Sequence, residues 1–477
     1  MESIWTDTAA LPAFPMLEGH LQADVAVIGG GLAGILTAHL LRQEGVNVIL
    51  LEANQIGSGQ TGGTTAKLTA QHGLNYHQLT RTLGPETAGQ YARANLDAVE
   101  RLRQLVQEWN IDCDFQDCTS FLYATESPKL LQEEYNACSK LGMDVFLTSN
   151  TELPFPVQAL GLRNQAMFHP LKLLAALTDG LHIYEHSRVL EVSGHTLRTH
   201  HGTLTVGNII FACHYPFINV PGFYFIRQHQ ERSYVLALEN AGKIQDHYLG
   251  VDADALSFRP CGSYLLLGGG GHRTGENPQG QVYTHLIETA KRYWPSCKVA
   301  FRWSAQDCIP MDGIPYIGPF SQNRPDWLVA TGFQKWGMSS SVIAAEMLSS
   351  MALGRNLSPD HTVFTPQRFH LRASAKQLTD DTLHAIKGIG RRVLSPARLS
   401  VEALPVGHGG IVELDGEKTG VYRTEDGTLL AVSIKCPHLG CQLEWNPDEK
   451  SWDCPCHGSR FDVYGRLLDG PAQSDLK

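Results

Sequence analysis

The pattern of apolar and polar positions near the N-terminus predicts a strand, a helix and a second strand. Residues 24–28 form a short apolar run that leads into a glycine-rich stretch at 29–34, and a helical pattern follows over 35–44. Residues 45–51 form a second apolar run, which ends at Glu52. Short apolar runs joined through a glycine turn and a helix are typical of a parallel βαβ unit. We therefore predict an α/β domain of the Rossmann type at this end of the chain.

The pattern is different at the C-terminal end. Residues 407–432 alternate short strand patterns with turn dipeptides, which indicates a small all-β module. The stretch before it is polar and mixed, and Ser395-Pro396 and Leu404-Pro405 interrupt it, as expected of a connection between domains. We therefore divide the chain into a first domain at 20–355, a linker at 356–398 and a C-terminal domain at 399–477.

Composition and charge narrow the class of protein. A chain of 477 residues exceeds what a single core usually organises, and 43% hydrophobic with 18% charged residues is an ordinary globular composition. The net charge is -10 and no basic run stands out, which argues against nucleic acid and anionic membranes as partners. The N-terminus lacks a secretory pattern, and the apolar run at 25–41 is broken by glycines rather than typical of a transmembrane segment. We expect a soluble cytoplasmic protein.

The glycines of the first βαβ unit form a dinucleotide-binding fingerprint. Gly29 permits a tight turn, Gly31 allows the backbone to approach a pyrophosphate, and Gly34 allows close packing of helix on strand. The helix N-terminus supplies amide donors for the phosphates. Glu52 ends the second strand, where a carboxylate can accept hydrogen bonds from both ribose hydroxyls. This pattern does not by itself separate FAD from NAD.

Two later stretches favour FAD. A loop at 57–66, rich in glycine and hydroxyl groups, follows Glu52 directly and suits a cofactor that extends beyond its adenosine half. A strand at 326–333 ends in a glycine turn before a helix at 339–351, whose N-terminus would stabilise negative charge on a reduced flavin. A glycine run at 265–271 is the rival nucleotide site, but Arg273 and Thr274 stand where its third glycine should be. The candidate FAD-binding residues from these stretches are Ser58, Thr61, Thr64, Thr65, Gly332, Lys335, Trp336, Gly337 and Met338.

Over residues 20–355 the chain resembles the D-amino-acid oxidase/glycine oxidase superfamily of FAD enzymes. The resemblance covers the fingerprint, the hydroxyl-rich loop and the stretches 206–213, 303–319 and 330–332. It implies an FAD-binding domain with an inserted α+β substrate domain, and it places the backbone of Val189 against the adenine. Amino-acid-oxidising members usually have an arginine shortly after the position of Trp303, where this chain has Gln306 and Asp307.

This departure leaves the substrate class open. If Asp307 faces the flavin, its carboxylate would favour an amine over an α-amino acid. The alternative is that Asp307 is a structural residue that points into the protein and caps a turn. Asp307, Gln306 and Lys67 are the candidate catalytic residues, and His72 is a further possible base.

Four of the eleven cysteines lie within 436–456, whereas the other seven are scattered and are expected to be ordinary thiols. The four clustered cysteines fall in two short motifs, which we call the cysteine-histidine boxes. One box contains Cys436 and His438, and the other contains Cys454 and His457. Two thiolates and two imidazoles suit tetrahedral zinc, and they also suit a Rieske cluster with two cysteines on one iron and two histidines on the other. A zinc site would not need the additional cysteine that each box contains.

The two boxes, CPHLGC and CPCHGS, resemble Rieske proteins of the cytochrome bc type. The resemblance implies a [2Fe-2S] cluster held by Cys436, His438, Cys454 and His457, and a disulfide between Cys441 and Cys456. It also implies that residues 470–472 form the proline loop that covers the cluster. Ser459 is retained as a donor to the cluster sulfurs, but Phe461 replaces a tyrosine donor, so we expect an intermediate potential.

Together the domains predict an oxidoreductase that couples two-electron and one-electron chemistry. A flavin accepts a hydride equivalent, whereas a Rieske cluster carries single electrons. The stretch 64–73 also resembles bacterial FAD-dependent oxidoreductases with a C-terminal Rieske domain. We predict a dehydrogenase for an amine or amino-acid-like substrate, acting on a CH–NH bond, with a one-electron acceptor or donor protein as partner. An electron-transfer protein without a small substrate is the main alternative, and a redox sensor is a third.

Overall fold

The computed structural model describes residues 3–368, 400–414 and 416–477. Within these ranges, no helix combines the length and the apolar character needed to cross a bilayer. The α-helices are α1 (Ile4–Thr8), α2 (Leu32–Gln43), α3 (Gln60–Gly63), α4 (Asn75–Leu83), α5 (Pro85–Glu108), α6 (Pro128–Lys140), α7 (Pro170–Leu177), α8 (Val282–Tyr293) and α9 (Gly337–Ala352). Two 3₁₀ turns span Tyr224–Ile226 and Pro359–Phe364.

The strands of the first domain are β1 (Gly19–Ile28), β2 (Val48–Leu51), β3 (Lys67–Leu68), β4 (Gln116–Ala124), β5 (Val145–Thr148), β6 (Gln158–Met167), β7 (His182–Tyr184), β8 (Glu191–Ser193), β9 (Thr196–Arg198), β10 (Gly202–Phe211), β11 (Gln228–Glu239), β12 (His247–Gly250), β13 (Ser257–Cys261), β14 (Tyr264–Arg273), β15 (Lys298–Pro310), β16 (Tyr316–Ser321) and β17 (Arg324–Thr331). Those of the C-terminal domain are β18 (Gly409–Leu414), β19 (Glu417–Arg423), β20 (Leu429–Ser433), β21 (Glu444–Asn446), β22 (Ser451–Asp453), β23 (Arg460–Phe461) and β24 (Leu467–Asp469).

The first sheet has the parallel centre expected of a Rossmann-type domain. Its strands follow the order β16-β17-β10-β1-β2-β7, and β1 pairs in parallel with both β2 and β10. The inner half of β1 and all of β2 are buried, as the continuous apolar runs predict for strands covered on both faces. Helices α2 and α9 pack together against this sheet. The carboxyl ends of β1, β2, β10 and β17 therefore meet at one edge.

The second sheet is the substrate domain of the predicted α+β type. Its path is β15-β11-β14-β13-β12-β4-β6-β3, and most neighbours are antiparallel. The glycine run at 265–271 lies in β14, which continues to Arg273 rather than turning into a helix. The Trp303 indole on β15 donates a hydrogen bond of 2.8 Å to the Gly63 carbonyl, so one face of this sheet packs on the loop that follows Glu52.

The C-terminal domain is all-β, as predicted. It contains a three-stranded sheet, β18-β19-β20, and a four-stranded sheet, β21-β22-β23-β24. The two cysteine-histidine boxes occupy the β20–β21 and β22–β23 connections, and Trp452, Phe461 and Leu443 are fully buried between them. A disulfide joins Cys441 to Cys456, and both cysteines are buried.

Residues beyond the predicted boundary at 355 also contact the first domain. The 3₁₀ turn at Pro359–Phe364 packs Phe364 into the main core, and Arg368 forms a buried ion pair with Asp312 at 2.7 Å. The polar character of the sequence suggested a linker here. One aromatic ring, that of Phe364, and one arginine, Arg368, help to hold the described part of the segment. Most of the predicted linker, residues 369–399, lies outside the described residues.

Candidate functional site

A cavity of about 270 Å³ opens at the edge where the parallel strands end. Its wall combines the glycine turn after β1, the end of β2, the segments after β10 and β17, and residues 305–307 of β15. This is where ligands bind in open parallel sheets. Eleven predicted FAD-binding residues line it: Gly29, Gly31, Glu52, Ser58, Thr61, Thr64, Val189, Gly332, Lys335, Gly337 and Met338.

The glycine turn is shaped for close approach of a phosphate. Gly29 has φ +114°, and a Cβ on it would lie 2.5 Å from the Ala212 carbonyl oxygen. Gly31 is the N-cap of α2 and has no side chain of its own to cap the helix, and the Thr61 hydroxyl accepts a hydrogen bond of 3.0 Å from the Leu32 amide in the first turn. The start of the helix therefore faces the cavity with Thr61 beside it. A Cβ on Gly34 would lie 1.9 Å from the Gly29 carbonyl oxygen. Gly34 therefore allows helix and turn to pack, as its position in the fingerprint predicts, but it does not line the cavity.

Glu52 faces the cavity while it organises the turn. Its Oε2 accepts a hydrogen bond of 2.7 Å from the Gly30 amide, and its Oε1 accepts one of 2.8 Å from the Asn54 amide. Burial raises the pKa of Glu52, although these amides and Arg188 act in the opposite direction. Arg188 also lines the cavity and was missed by the sequence analysis, because it lies in an irregular segment with no motif.

The second end of the cavity carries an ion pair. Asp307 on β15 and Lys335 before α9 both line the wall, and Lys335 Nζ lies 2.8 Å from Asp307 Oδ2. The Ser233 hydroxyl donates to the same carboxylate oxygen at 3.0 Å. Burial opposes the charge on Lys335, but Asp307 and Glu231 together raise its pKa. Asp307 is therefore both a cavity residue and an anchored, charge-balanced one.

Besides Gly34, four candidates lie outside the cavity. The Thr65 carbonyl accepts a hydrogen bond from Arg259, and Trp336 stacks on His72 with ring centroids 4.5 Å apart. Lys67 and His72, considered as possible bases, are also absent from the lining. Lys67 and His72 lie outside the cavity because of the direction of the chain. Strand β3, which follows the hydroxyl-rich loop at 57–66, runs away from the cavity into the second sheet.

The environments of these two bases differ. Lys67 Nζ donates a long hydrogen bond of 3.4 Å to the Tyr248 carbonyl, and burial, with Arg259 nearby, lowers its pKa to about 7. His72 is hydrogen-bonded to the Tyr91 hydroxyl and to the Thr69 carbonyl, and burial lowers its pKa to about 3. A histidine with both ring nitrogens engaged in the core is a structural residue.

The cysteine-histidine boxes converge on a second site. The His438 and His457 rings lie 4.8 Å apart, and Nδ1 of His438 is buried without a hydrogen-bond partner in the described part of the chain. A hydrogen bond with Cys454, helped by Ser459, lowers the pKa of Cys436 to about 7 against the effect of burial. Two thiols lie beside two imidazoles, and one buried imidazole nitrogen has no partner among the described residues. This arrangement fits a [2Fe-2S] cluster of the Rieske type.

The cluster domain contacts the cavity wall directly. Gln230 on β11 donates hydrogen bonds to the carbonyls of His457, at 2.6 Å, and Gly470, at 3.2 Å. Gln306 on β15 donates to the Gly458 carbonyl at 2.8 Å and to the Gln230 side chain. Its side chain therefore bridges the two domains, and Gln306 also lines the cavity. Residues 468–471 and Gln473, which include the predicted proline loop, line the same cavity as the fingerprint glycines.

A buried ionic network fixes this contact. The guanidinium of Arg232 on β11 lies 2.9 Å from the Glu449 carboxylate of the C-terminal domain, and both side chains are less than a tenth exposed. Ser304 and Tyr283 of the first domain also donate to Glu449. Burial would raise the pKa of Glu449, but Arg232 and Arg460 lower it.

Comparison with known proteins places the chain in a family. The family model described as FAD dependent oxidoreductase (DAO) matches residues 24–351. The chain belongs to this family. A second model, the Rieske [2Fe-2S] domain, matches residues 398–477. The chain is therefore an FAD-dependent oxidoreductase of the DAO family with a C-terminal Rieske domain, and its cofactors are FAD and a [2Fe-2S] cluster.

Individual relatives resemble the whole chain or one part. It is 36% identical to the putative Rieske 2Fe-2S iron-sulfur protein YhfW of Bacillus subtilis, over all of this chain and 97% of that one. It is 22% identical to the gamma-glutamylputrescine oxidoreductase of Escherichia coli, over 72% of this chain and 86% of the relative. A cytochrome b6-f complex iron-sulfur subunit of Trichormus variabilis matches 14% of this chain and 39% of its own length, at 48% identity.

Solved structures share the fold of the first domain. The glycine oxidase of Geobacillus kaustophilus superposes with a TM-score of 0.62 at 19% identity, over 73% of this chain and 99% of that one. The L-proline dehydrogenase of P. horikoshii gives 0.61 at 17% identity, over 74% and 98%. At these identities the likeness establishes the fold, which confirms the predicted α/β and α+β architecture.

Proposed function

We propose that this protein is a dehydrogenase that oxidises a small amine or amino-acid-like substrate and transfers the electrons one at a time through its own Rieske cluster. FAD accepts two electrons from an organic substrate, and the cluster carries one at a time to a partner protein. The substrate loses two electrons and two protons across its CH–NH bond. The protein supplies the cavity that positions the flavin and the docked domain that receives the electrons.

The observation that supports this proposal best is the contact between the two cofactor sites. The carbonyl of His457, a proposed cluster ligand, is held by Gln230, and the chain beyond it lines the FAD cavity. An oxidase that passes both electrons to oxygen would not need such a contact. A cluster docked against the wall of the flavin cavity is the arrangement that electron transfer within one chain requires.

We assign the cluster to Cys436 and Cys454 on one iron and to His438 and His457 on the other. The His457→Cys variant tests this assignment. Centres with only cysteine ligands have reduction potentials roughly several hundred millivolts below the highest Rieske potentials. We expect the cluster potential to fall by about that scale in potentiometric titrations followed by EPR. Stoichiometric zinc without iron in anaerobically purified protein would contradict the assignment.

The substrate class rests on the ion pair in the cavity wall. Asp307 stands near the position from which amino-acid oxidases grip a carboxylate, but Lys335 neutralises much of its charge. A neutralised pair repels neither an ammonium group nor a carboxylate strongly. We therefore keep amines and amino acids together as the substrate class, in line with relatives named for a putrescine derivative, glycine and proline.

Anaerobic mixing with a panel of amines and amino acids tests the proposal. A true substrate should bleach the visible absorbance of the flavin and then produce the EPR signal of the reduced cluster. Dithionite serves as the positive control, because it reduces both cofactors without a substrate. If no member of the panel reduces the flavin while a reduced carrier protein does, the alternative of an electron-transfer protein without a small substrate is correct.

A further inference from the structure

The side chain of Asn219 contacts a proposed cluster ligand from the other domain. Asn219 lies in the segment after β10, and its Oδ1 is 2.9 Å from Nε2 of His438. Nδ1 of the same ring is buried and has no hydrogen-bond partner among the described residues. If iron binds Nδ1, the neutral imidazole must carry its proton on Nε2. The proton can then be donated only outward, towards Asn219.

The segment around Asn219 is shaped to hold this contact. The Asn219 carbonyl accepts a hydrogen bond of 2.9 Å from the Phe223 amide, which closes a turn. Two residues further, the Phe225 ring lies edge-on to both imidazoles, with centroid distances of 6.4 Å to His438 and 5.8 Å to His457. The first domain thus covers one side of the histidine pair. Among the described residues, the side-chain oxygen of Asn219 is the polar contact of His438 Nε2.

We propose that Asn219 is a positioning residue that fixes the His438 ligand and lowers the reduction potential of the cluster. An acceptor on the outer nitrogen of a ligating histidine fixes its tautomer and orientation and raises its basicity. A more basic ligand stabilises the more positive, oxidised iron, so the cluster accepts its electron less readily. Because Asn219 belongs to the FAD domain, the potential is set in part by domain docking.

This inference rests on the proposed assignment of His438 as a ligand. It does not depend on the identity of the substrate. The assignment and the inference fail in different ways. If the wild-type protein lacks the EPR signal of a Rieske cluster, the ligand assignment is wrong. If the signal is present but insensitive to Asn219, the ligand assignment stands and the role of Asn219 is wrong.

Two substitutions at Asn219 should shift the potential in opposite directions. Asn219→Leu removes the acceptor and keeps a side chain branched at Cγ, and we expect a more positive midpoint potential in the full-length protein. Asn219→Asp places a stronger acceptor at the same position, and we expect a more negative one. Potentiometric titration followed by EPR measures both, and pulsed EPR should show a changed nitrogen coupling for one of the two histidines.

The matched control is Asn277→Leu. Asn277 also joins the two domains, through a hydrogen bond of 2.9 Å to Asp448, but it has no described contact with a cluster ligand. Its variant should keep the wild-type potential. A shift of the same sign in both Asn219 variants, an equal shift in Asn277→Leu, or an unchanged potential in Asn219→Leu would each overturn the inference.

Discussion

Glu52 is half-buried beside the glycine turn and performs two tasks with one carboxylate. Its oxygens accept hydrogen bonds from the Gly30 and Asn54 amides, which shapes the turn, and the same group lines the cavity. Each carboxylate oxygen has a further lone pair available for a ribose hydroxyl. This geometry predicts that Glu52 helps to bind FAD through the ribose hydroxyls.

Glu52→Ala should weaken FAD binding. Loss of charge-assisted hydrogen bonds costs about 1.5–3 kcal/mol each, which corresponds to roughly a tenfold to hundredfold rise in the Kd. Flavin occupancy after extensive dialysis measures the effect. Glu185→Gln is the control, because Glu185 also holds backbone amides, those of Phe14 and Ile56, without lining the cavity. Full occupancy in Glu52→Ala would show that the ribose is held elsewhere.

Asp307→Arg should change which molecules the cavity accepts. The substitution removes the partner of Lys335 and leaves two cations at the same wall, so anionic amino acids should bind more tightly than to the wild type and amine turnover should collapse. Flavin absorbance during anaerobic titration reports binding, and turnover is followed with an artificial acceptor. Asp307→Asn removes the charge without adding a cation and should have the smaller effect. If neither variant alters binding or turnover, Asp307 is purely structural.

At the scale of elements, continuous patterns were predictable and isolated polar residues were not. The first βαβ unit and the cysteine-histidine boxes follow from local sequence, because turn chemistry and ligand spacing are encoded there. Strand β11 carries a subtler signal: residues 228–233 are polar on both faces, whereas 234–238 are apolar or aromatic. One polar face contacts the cluster domain through Gln230 and Arg232, and the other contacts Lys335. A strand that is polar on both faces indicates two partners, but it does not identify them.

The disulfide should stabilise the two cluster loops as a unit. Cys441 and Cys456 are 15 residues apart, and a closed loop of that length restricts the unfolded chain by about 3 kcal/mol. The Cys441→Ser/Cys456→Ser variant should therefore lose its cluster at lower denaturant concentration, which bleaching of the cluster absorbance measures. Cys118→Ser, at a half-buried thiol far from the boxes in sequence, is the control. Equal cluster loss in both variants would assign no stabilising role to the disulfide.

At the scale of the whole molecule, the decisive feature is that the cluster domain is docked by buried charges. Arg232 and Glu449 lie in different domains, 217 positions apart, and neither belongs to a motif. Sequence patterns describe each domain's own core, so they could not reveal this contact. The sequence likewise predicted Gln306 as a candidate catalytic residue and residues 470–472 as the proline loop over the cluster, but it predicted neither as part of an interface. Gln230 lies outside every predicted motif. The position of the cluster relative to the FAD cavity is therefore the main result that only the structure provides.

Glu449→Gln should separate the behaviour of the two domains. It leaves Arg232 buried without its counter-charge, and breaking a buried pair in this way costs about 3–5 kcal/mol. In calorimetry the C-terminal domain should unfold at a lower temperature than the FAD domain, and flavin-to-cluster electron transfer should slow in anaerobic stopped-flow measurements. Glu425→Gln removes an exposed pair with Lys450 in the same domain and should cost less than about 1 kcal/mol.

The same network predicts a pH dependence with a definite sign. The pKa of Glu449 is lowered in the folded protein, so its carboxylate stabilises docking above the ordinary glutamate value of 4.5, and this contribution is lost as the pH falls through the lowered pKa. On acidification, the two domains of the wild-type protein should therefore stop unfolding in one cooperative transition. The Glu449→Gln variant should not show this acid-dependent loss, because it has no carboxylate at position 449. If the variant and the wild type show the same acid dependence and a single shared transition, the domains are held by their hydrogen bonds rather than by the buried charges.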